Sequence, residues 1–130
     1  MKTIENKLGL FEIHHMYVFA RFHEGVDLRI KHAPDLIDIM SEHFNGPFGW
    51  IADRVNQYSV DPYIARMMVD DAPRLSCWCN VMHKKTLIDL LPFVKRVVPK
   101  DFPKESFGHL LEAINWTEKQ VALASASNPI

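Results

Sequence analysis

Two short segments near the start of the chain are dominated by hydrophobic residues. Residues 7–14 and 16–22 are short and rich in aromatic and β-branched side chains, which favour strands. The adjacent histidines His14 and His15 lie at their junction. The pattern therefore predicts a β-hairpin.

Helical spacing begins near residue 28, where hydrophobic side chains recur every three or four positions up to residue 44. Asp27 is suited to cap a helix that begins there. Pro34 lies in the first half of this segment, and proline is tolerated only in the first turn of a helix. The helix therefore begins either near residue 28 or at Pro34. A second helix is predicted after the N-cap and proline at Asp61 and Pro62, ending before residue 73.

Two further strands are predicted from short apolar segments. Residues 48–52 form a brief apolar run between turn signals, and residues 75–82 alternate between two sides. The residues predicted on one side of the second strand are Leu75, Cys77, Cys79 and Val81.

The last third of the chain returns to helical spacing twice. Residues 84–98 predict a helix that kinks or divides at Pro92, and residues 109–123 predict a final helix. Residues 101–107 are suited at most to an edge strand, and residues 124–130 to a frayed tail. The order β-β-α-β-α-β-α-β-α predicts one α/β domain over residues 1–130, with about four helices and a mixed sheet of four or five strands.

Composition agrees with one folded domain and excludes several classes. The 130 residues are 48% hydrophobic and 24% charged, so a disordered chain is excluded. The net charge is −1, which gives no field for nucleic acid, and we expect no nucleic-acid partner. No apolar run approaches the ~20 residues of a transmembrane helix or follows a signal-peptide pattern. We therefore expect no transmembrane segment and a cytoplasmic location.

Candidate catalytic and metal chemistry is sparse. Cys77 and Cys79 are the only cysteines, and two cysteines on one strand are typical of small buried side chains. The histidines lack metal-site spacing. No glycine-rich phosphate loop or nucleophile elbow occurs. We therefore expect no metal, no cofactor and no enzyme activity, with a thiol-dependent enzyme acting through Cys77 or Cys79 as the weaker alternative.

Two segments of the sequence carry a resemblance to a known family. They are Asp53-Arg54-Val55-Asn56-Gln57-Tyr58-Ser59-Val60-Asp61-Pro62 and Leu111-Glu112-Ala113-Ile114-Asn115-Trp116. Both resemble signatures of small bacterial proteins with the STAS-like (SpoIIAA-like) fold, which is related in shape to CRAL-TRIO lipid-binding domains. The resemblance spans about residues 8–121 and implies the STAS-like element order, for a family without an established activity. Gln57 replaces the first serine of the motif Ser-Tyr-Ser-Val-Asp-Pro, and Asp53 stands where asparagine or histidine is usual.

The first of these segments supplies the candidate site. Related anti-sigma factor antagonists carry a phosphorylatable serine in this loop, and the resemblance places Ser59 there; the alternative is a serine that only closes the turn. Arg54 with Asp53 and Asp61 predicts an ion-paired platform at the carboxyl end of a strand, where ligands often bind. The alternative is that Asp61 caps the helix and Arg54 ties the loop.

We therefore expect a non-catalytic protein-interaction or regulatory module, either monomeric or a homodimer. The alternative is a carrier that holds a small apolar ligand or lipid between helices and sheet. The tentative ligand- or partner-binding residues are Arg54, Tyr58, Ser59, Asp61 and Tyr63, of which the two tyrosines either line the surface or pack beneath it. The residues that would line a carrier pocket, or form core, are Met40, Met67, Met68 and Trp78.

Overall fold

The structure, a computed structural model, describes residues 1–83 and 91–127. The strands are β1 (Lys2–Glu5), β2 (Gly9–Ile13), β3 (Tyr17–Phe22), β4 (Asp27–Leu28), β5 (Phe48–Asp53), β6 (Ser59–Val60), β7 (Leu75–Val81) and β8 (Lys104–Phe107). The α-helices are α1 (Ala33–His43), α2 (Tyr63–Asp71), α3 (Leu91–Val97) and α4 (Leu110–Ser127), and a 3₁₀ turn, Ile30–His32, precedes α1.

Six strands form one mixed sheet in the order β1-β2-β3-β5-β7-β8. The first three strands are antiparallel, and β3, β5, β7 and β8 are parallel to one another. Strands β4 and β6 form a separate two-stranded parallel sheet. The expected α/β domain with a mixed sheet is confirmed, and the part of the chain that the structure describes contains four α-helices.

The predicted number of four or five strands was too low. β1 was missed because it is an edge strand in which only Ile4 is partly buried, so it shows no apolar alternation. It pairs with β2 from Lys2 opposite Ile13 to Glu5 opposite Leu10. The strands β4 and β6 have two residues each, too few for any periodic pattern.

The first helix begins at the later of the two predicted positions. Pro34 lies in the first turn of α1, where its missing N–H removes no helical hydrogen bond. Asp27 does not cap this helix. It lies in β4, and its carboxylate accepts hydrogen bonds from Arg29 Nε (2.7 Å) and Ser59 Oγ (2.7 Å).

The last helix extends beyond its predicted end, and the structure describes the second half of the predicted helix before it. Residues 84–90, the first half of the predicted helix 84–98, lie outside the described residues, and Pro92 is the second residue of α3. α4 continues to Ser127, beyond the predicted end at residue 123. Its last turns are rich in alanine, the best helix former, so residues 124–127 are helical instead of frayed. Residues 128–130 also lie outside the described part.

The helices cover both faces of the sheet. One core joins β2, β3 and β5 to α1 and α2, and includes the fully buried Phe11, Leu36 and Trp50. A second core lies on the opposite face, where Ala113 of α4 packs with Ile51 and other side chains of β3, β5 and β7. The central strands are therefore buried on both sides, as parallel strands usually are.

An irregularity at the start of β7 changes the predicted side of one residue. Phe48 pairs with Leu75, whereas the next residue, Gly49, pairs with Cys77. Ser76 is the extra residue, and a one-residue insertion reverses the alternation. Leu75 therefore packs in the core beneath α1 and α2, while Cys79 packs in the core beneath α4.

The close approach of α4 to the sheet gives a first prediction. A Cβ on Gly49 would overlap Thr117 Cγ2 of α4 and lie 2.9 Å from Cys77 Sγ. We expect Gly49→Ala to lower the free energy of unfolding by about 1–3 kcal/mol, since overpacking displaces the helix. Urea denaturation measures the change. As the control, Gly46→Ala has open space around the new Cβ, and an equal loss there would contradict the steric explanation.

Candidate functional site

The candidate site centres on Asp53, the last residue of β5. Its side chain is only 5% exposed, and Oδ2 accepts a hydrogen bond of 2.9 Å from Arg21 Nε. Oδ1 lies 2.5 Å from Nε2 of His83. One buried carboxylate thus connects residues from β3, β5 and the segment after β7. We call these three residues the Asp53 cluster.

The strand pattern places the Asp53 cluster at the carboxyl edge of the sheet. The strands β3, β5 and β7 are parallel, with Ala20 opposite Ala52 and Asp53 opposite Val81. Their carboxyl ends therefore lie together. Because side chains alternate along a strand, Arg21 and Asp53 point to the same face, the one that α4 covers further along the strands.

In the Asp53 cluster, the buried carboxylate of Asp53 lies between the half-exposed side chains of Arg21 and His83. A buried carboxylate is costly unless it is paired and hydrogen-bonded. Arg21 supplies a permanent positive charge, and its side chain remains 43% exposed. The His83 side chain is 40% exposed. The arrangement fixes two polar side chains in place while leaving part of each accessible to a partner.

Arg54 lies on the other face of the sheet, although it is the next residue. Its side chain is buried, and its Cζ lies 4.5 Å from the centre of the Tyr58 ring. The Tyr58 ring also packs against Phe22 at 5.1 Å. Burial raises the pKa of Tyr58 to about 12, with the charge of Arg54 acting in the opposite direction. The Tyr58 hydroxyl is therefore neutral at physiological pH.

The loop from residue 54 to residue 61 is fixed along its length to the segment that follows β3. Side-chain bonds hold its middle, and the pairing of β4 with β6 holds its end. Such a loop loses little conformational entropy on binding. Four of the hydrogen bonds between the two segments are Asn56 Nδ2 to Phe22 O (3.0 Å), Gln57 N to Glu24 Oε2 (2.8 Å), Ser59 N to Val26 O (2.9 Å) and Asp61 N to Leu28 O (2.9 Å).

Ser59 is exposed, and its hydroxyl donates to Asp27 Oδ1. The hydrogen bonds from Ser59 and Arg29 hold the pKa of Asp27 below its usual value. A phosphate on Ser59 would lie beside this ionised carboxylate, which is an unfavourable position for added negative charge. Phosphorylation of Ser59 stays a prediction.

Asp61 and Tyr63 lie at the start of α2. Asp61 Oδ1 accepts a hydrogen bond of 2.9 Å from Tyr63 N, and its carbonyl accepts one of 3.0 Å from Ile64 N. These contacts match the alternative in which Asp61 supports the helix start. The Tyr63 side chain is 58% exposed and is available to a partner.

Sequence reasoning missed Arg21 and His83. It placed Asp53 in a platform with Arg54 and Asp61, whereas the carboxylate contacts Arg21 and His83. A usable signal was present, because both residues stand at or just after the carboxyl end of a predicted strand. Polar residues at the ends of neighbouring parallel strands meet at one edge.

A small cavity lies between the sheet and the helices α1 and α2. Its volume is about 30 Å³, which holds about two water molecules, whereas ligand pockets usually measure about 300–1,000 Å³. Met68 and Trp78 line the cavity, while Met40 and Met67 pack in the surrounding core. Within the described chain, Trp78 Nε1 is buried without a hydrogen-bond acceptor.

Cys77 and Cys79 are buried beneath α4. The Cys79 thiol lies 3.5 Å from Thr117 Oγ1. Burial raises the pKa of each thiol to about 12, so the reactive thiolate is scarce at neutral pH. This environment gives no support to thiol catalysis.

Over residues 1–83 and 91–127, no three histidine, cysteine or acidic side chains are grouped to hold a metal ion. Among the helices that the structure describes, none has both the length and the apolar character to cross a bilayer.

Comparison of the chain with family models, curated proteins and solved structures gave no match. The function is therefore inferred from the geometry of the site.

The Asp53 cluster gives a second prediction. We expect Asp53→Ala to lower the free energy of unfolding by about 1–3 kcal/mol, because two charge-assisted contacts between strand ends are lost. Arg21 and His83 are partly exposed and can turn to water, which limits the loss. Asp27→Ala is the matched control, since it removes another aspartate paired with an arginine, at an exposed site. Thermal and urea unfolding that respond equally to both substitutions would contradict the special role of Asp53.

The buried thiols give a third prediction. We expect iodoacetamide to leave Cys77 and Cys79 unmodified in the folded protein and to modify both in urea, as measured by mass spectrometry. The unfolded chain releases thiol protons near pH 9, whereas the folded chain retains them until about pH 12. Stability therefore falls as the pH rises through this range. Rapid alkylation of the folded protein at pH 7.5 would instead revive the thiol-enzyme hypothesis.

Proposed function

We propose that this chain is a non-catalytic protein-recognition module with a STAS-like fold. Its recognition surface comprises the loop 54–61, the adjoining start of α2 and the Asp53 cluster. The observation that carries the proposal is the attachment of this loop to the segment after β3 by the four hydrogen bonds described above.

Two exposed hydrophobic side chains on this surface support protein recognition. Val55 is 46% exposed, and Tyr63 is 58% exposed. Val55 stands two residues after Asp53 in the sequence, and Asp53 contacts the half-exposed Arg21 and His83. Tyrosine and arginine are the residue types that contribute most at protein interfaces.

Four residues of the predicted site have a supporting role in this proposal. Arg54 and Tyr58 pack under the loop and hold its shape. Ser59 and Asp61 keep β6 and α2 in register with their neighbours. A partner then contacts Val55 and the groups around it.

The carrier alternative has less support from the geometry. The cavity of about 30 Å³ would have to grow roughly tenfold to reach the usual size of a ligand pocket. That growth would require displacement of well-packed side chains on α1 and α2, which is costly in a close-packed core.

Site-specific photo-crosslinking tests the proposal and supplies a fourth prediction. A benzophenone side chain at position 55 in the full chain should crosslink one defined protein in extract from the source cells. The same group at Lys119, an exposed position on α4, is the control. We also expect Tyr63→Ala to reduce the crosslink while leaving the melting temperature nearly unchanged, because Tyr63 is largely exposed.

The experiment also separates the alternatives. Equal labelling from positions 55 and 119, or none from either, contradicts a recognition surface at this loop. A crosslink to the same chain identifies a homodimer. Native mass spectrometry that finds a reproducible bound small molecule, without a protein crosslink, favours the carrier.

A further inference from the structure

Among the residues that the structure describes, Asp53 and Phe19 are those that hold the guanidinium group of Arg21 in place. Its Nε donates to Asp53 Oδ2, and its Cζ lies 5.4 Å from the centre of the Phe19 ring. Asp53 is itself buried and is also contacted by His83. The two terminal nitrogens, Nη1 and Nη2, make no hydrogen bond to any residue that the structure describes. The side chain is 43% exposed, so this end of the guanidinium is open to solvent.

An open guanidinium end is a receptor for a pair of oxygen atoms. Nη1 and Nη2 present parallel N–H groups that match both oxygens of a carboxylate or of a phosphate. A lysine cannot reproduce this planar fork. Because Asp53 and Phe19 already fix the side chain, little further ordering is needed when an anion binds.

The surroundings of Arg21 favour a carboxylate over a more highly charged group. On the neighbouring strand, Leu10 pairs with Arg21, and Glu12 pairs with Phe19. Glu12 lies on the same face and is engaged by His14 at 3.0 Å. A phosphate with nearly two negative charges is repelled by the carboxylates of Glu12 and Asp53 more strongly than a carboxylate with one charge.

We propose that Arg21 binds a carboxylate from an acidic segment of the partner protein through Nη1 and Nη2. This inference rests on the proposed function, because the partner is the one recognised at the loop 54–61. Val55 is exposed and stands two residues after Asp53 in the sequence. It would add an apolar contact, so a fitting partner segment has an acidic residue close to an apolar one. Asp53 acts as a positioning residue, which orients Arg21 and does not touch the partner.

Arg29 provides a matched comparison within the same chain. It also donates through Nε to an aspartate, Asp27, at 2.7 Å. Here, however, the arginine side chain is 71% exposed and the aspartate side chain is 50% exposed. The two arginines therefore have the same pairing and differ in how firmly the pairing is held.

An NMR titration of the full chain gives the fifth prediction. The arginine Nε–H signals are followed in ¹⁵N-labelled protein as sodium acetate replaces sodium chloride at constant ionic strength. We expect the Arg21 signal to reach half of its total shift at an acetate concentration about fivefold lower than the Arg29 signal requires. The reason is that Arg21 is already immobilised, so its binding costs less side-chain entropy. Inorganic phosphate in place of acetate is the second probe.

Variants separate positioning from charge. Arg21→Lys assigns the signal, retains the charge and should weaken the photo-crosslink from position 55 about tenfold, as the loss of a bidentate contact predicts. Asp53→Asn should move the Arg21 midpoint to that of Arg29. If Asp53→Asn does not fold, as judged by signal dispersion, the comparison of Arg21 with Arg29 in the wild-type chain still decides the matter.

Each outcome bears on a distinct claim. If Arg21 and Arg29 have equal acetate midpoints, the proposal that Arg21 is a carboxylate-binding site is wrong. If the Arg21 midpoint is lower with phosphate than with acetate, the ligand is a phosphorylated group and the carboxylate assignment is wrong. A crosslink that persists unchanged in Arg21→Lys removes Arg21 from the interface and leaves the proposed function standing. If the chain with an otherwise wild-type sequence gives no crosslink from position 55, the proposed function is wrong, independently of the acetate titration.

Discussion

The need to neutralise one buried carboxylate organises the carboxyl edge of this sheet. Asp53 ends the central parallel strand with a side chain almost closed to water, where an unpaired charge would be strongly unfavourable. Arg21 and His83 meet it from the two neighbouring strands. These contacts connect three strand ends that lie far apart in the sequence. They also bring a guanidinium and an imidazole to a surface where no local pattern would have grouped them.

Because side chains alternate along a strand, the adjacent residues Asp53 and Arg54 point to opposite faces of the sheet and make different contacts. Asp53 points towards the face that carries α4, whereas Arg54 points towards α1 and α2 and lies against Tyr58. The candidate segment therefore contains both supporting and presented residues. Arg54 and Tyr58 pack beneath the loop. Val55, which follows the buried residues Asp53 and Arg54 in the sequence, is exposed.

Periodicity predicts the elements that have enough residues to show a pattern. The α/β class, the mixed sheet and the helical segments follow from the spacing of apolar side chains. The edge strand β1 does not, because one partly buried residue, Ile4, is too little signal. The sequence also suggests this edge as the candidate site, since ligands often bind α/β sheets at the carboxyl ends of strands. The pairing of Asp53 with Arg21 and His83 was not, because it depends on the register between strands about 30 residues apart in sequence.

The sharing of the Asp53 carboxylate supports the proposed binding role of this edge. In a catalytic pair the aspartate orients a histidine and stabilises its positive form. Here the same carboxylate also accepts a hydrogen bond from Arg21, which carries a permanent positive charge. The main contribution of the buried Asp53 carboxylate is to fix the position of the Arg21 side chain. It holds the Nε side of Arg21, whose side chain remains 43% exposed. The exposed Val55 follows two residues later, on a loop that hydrogen bonds hold in place.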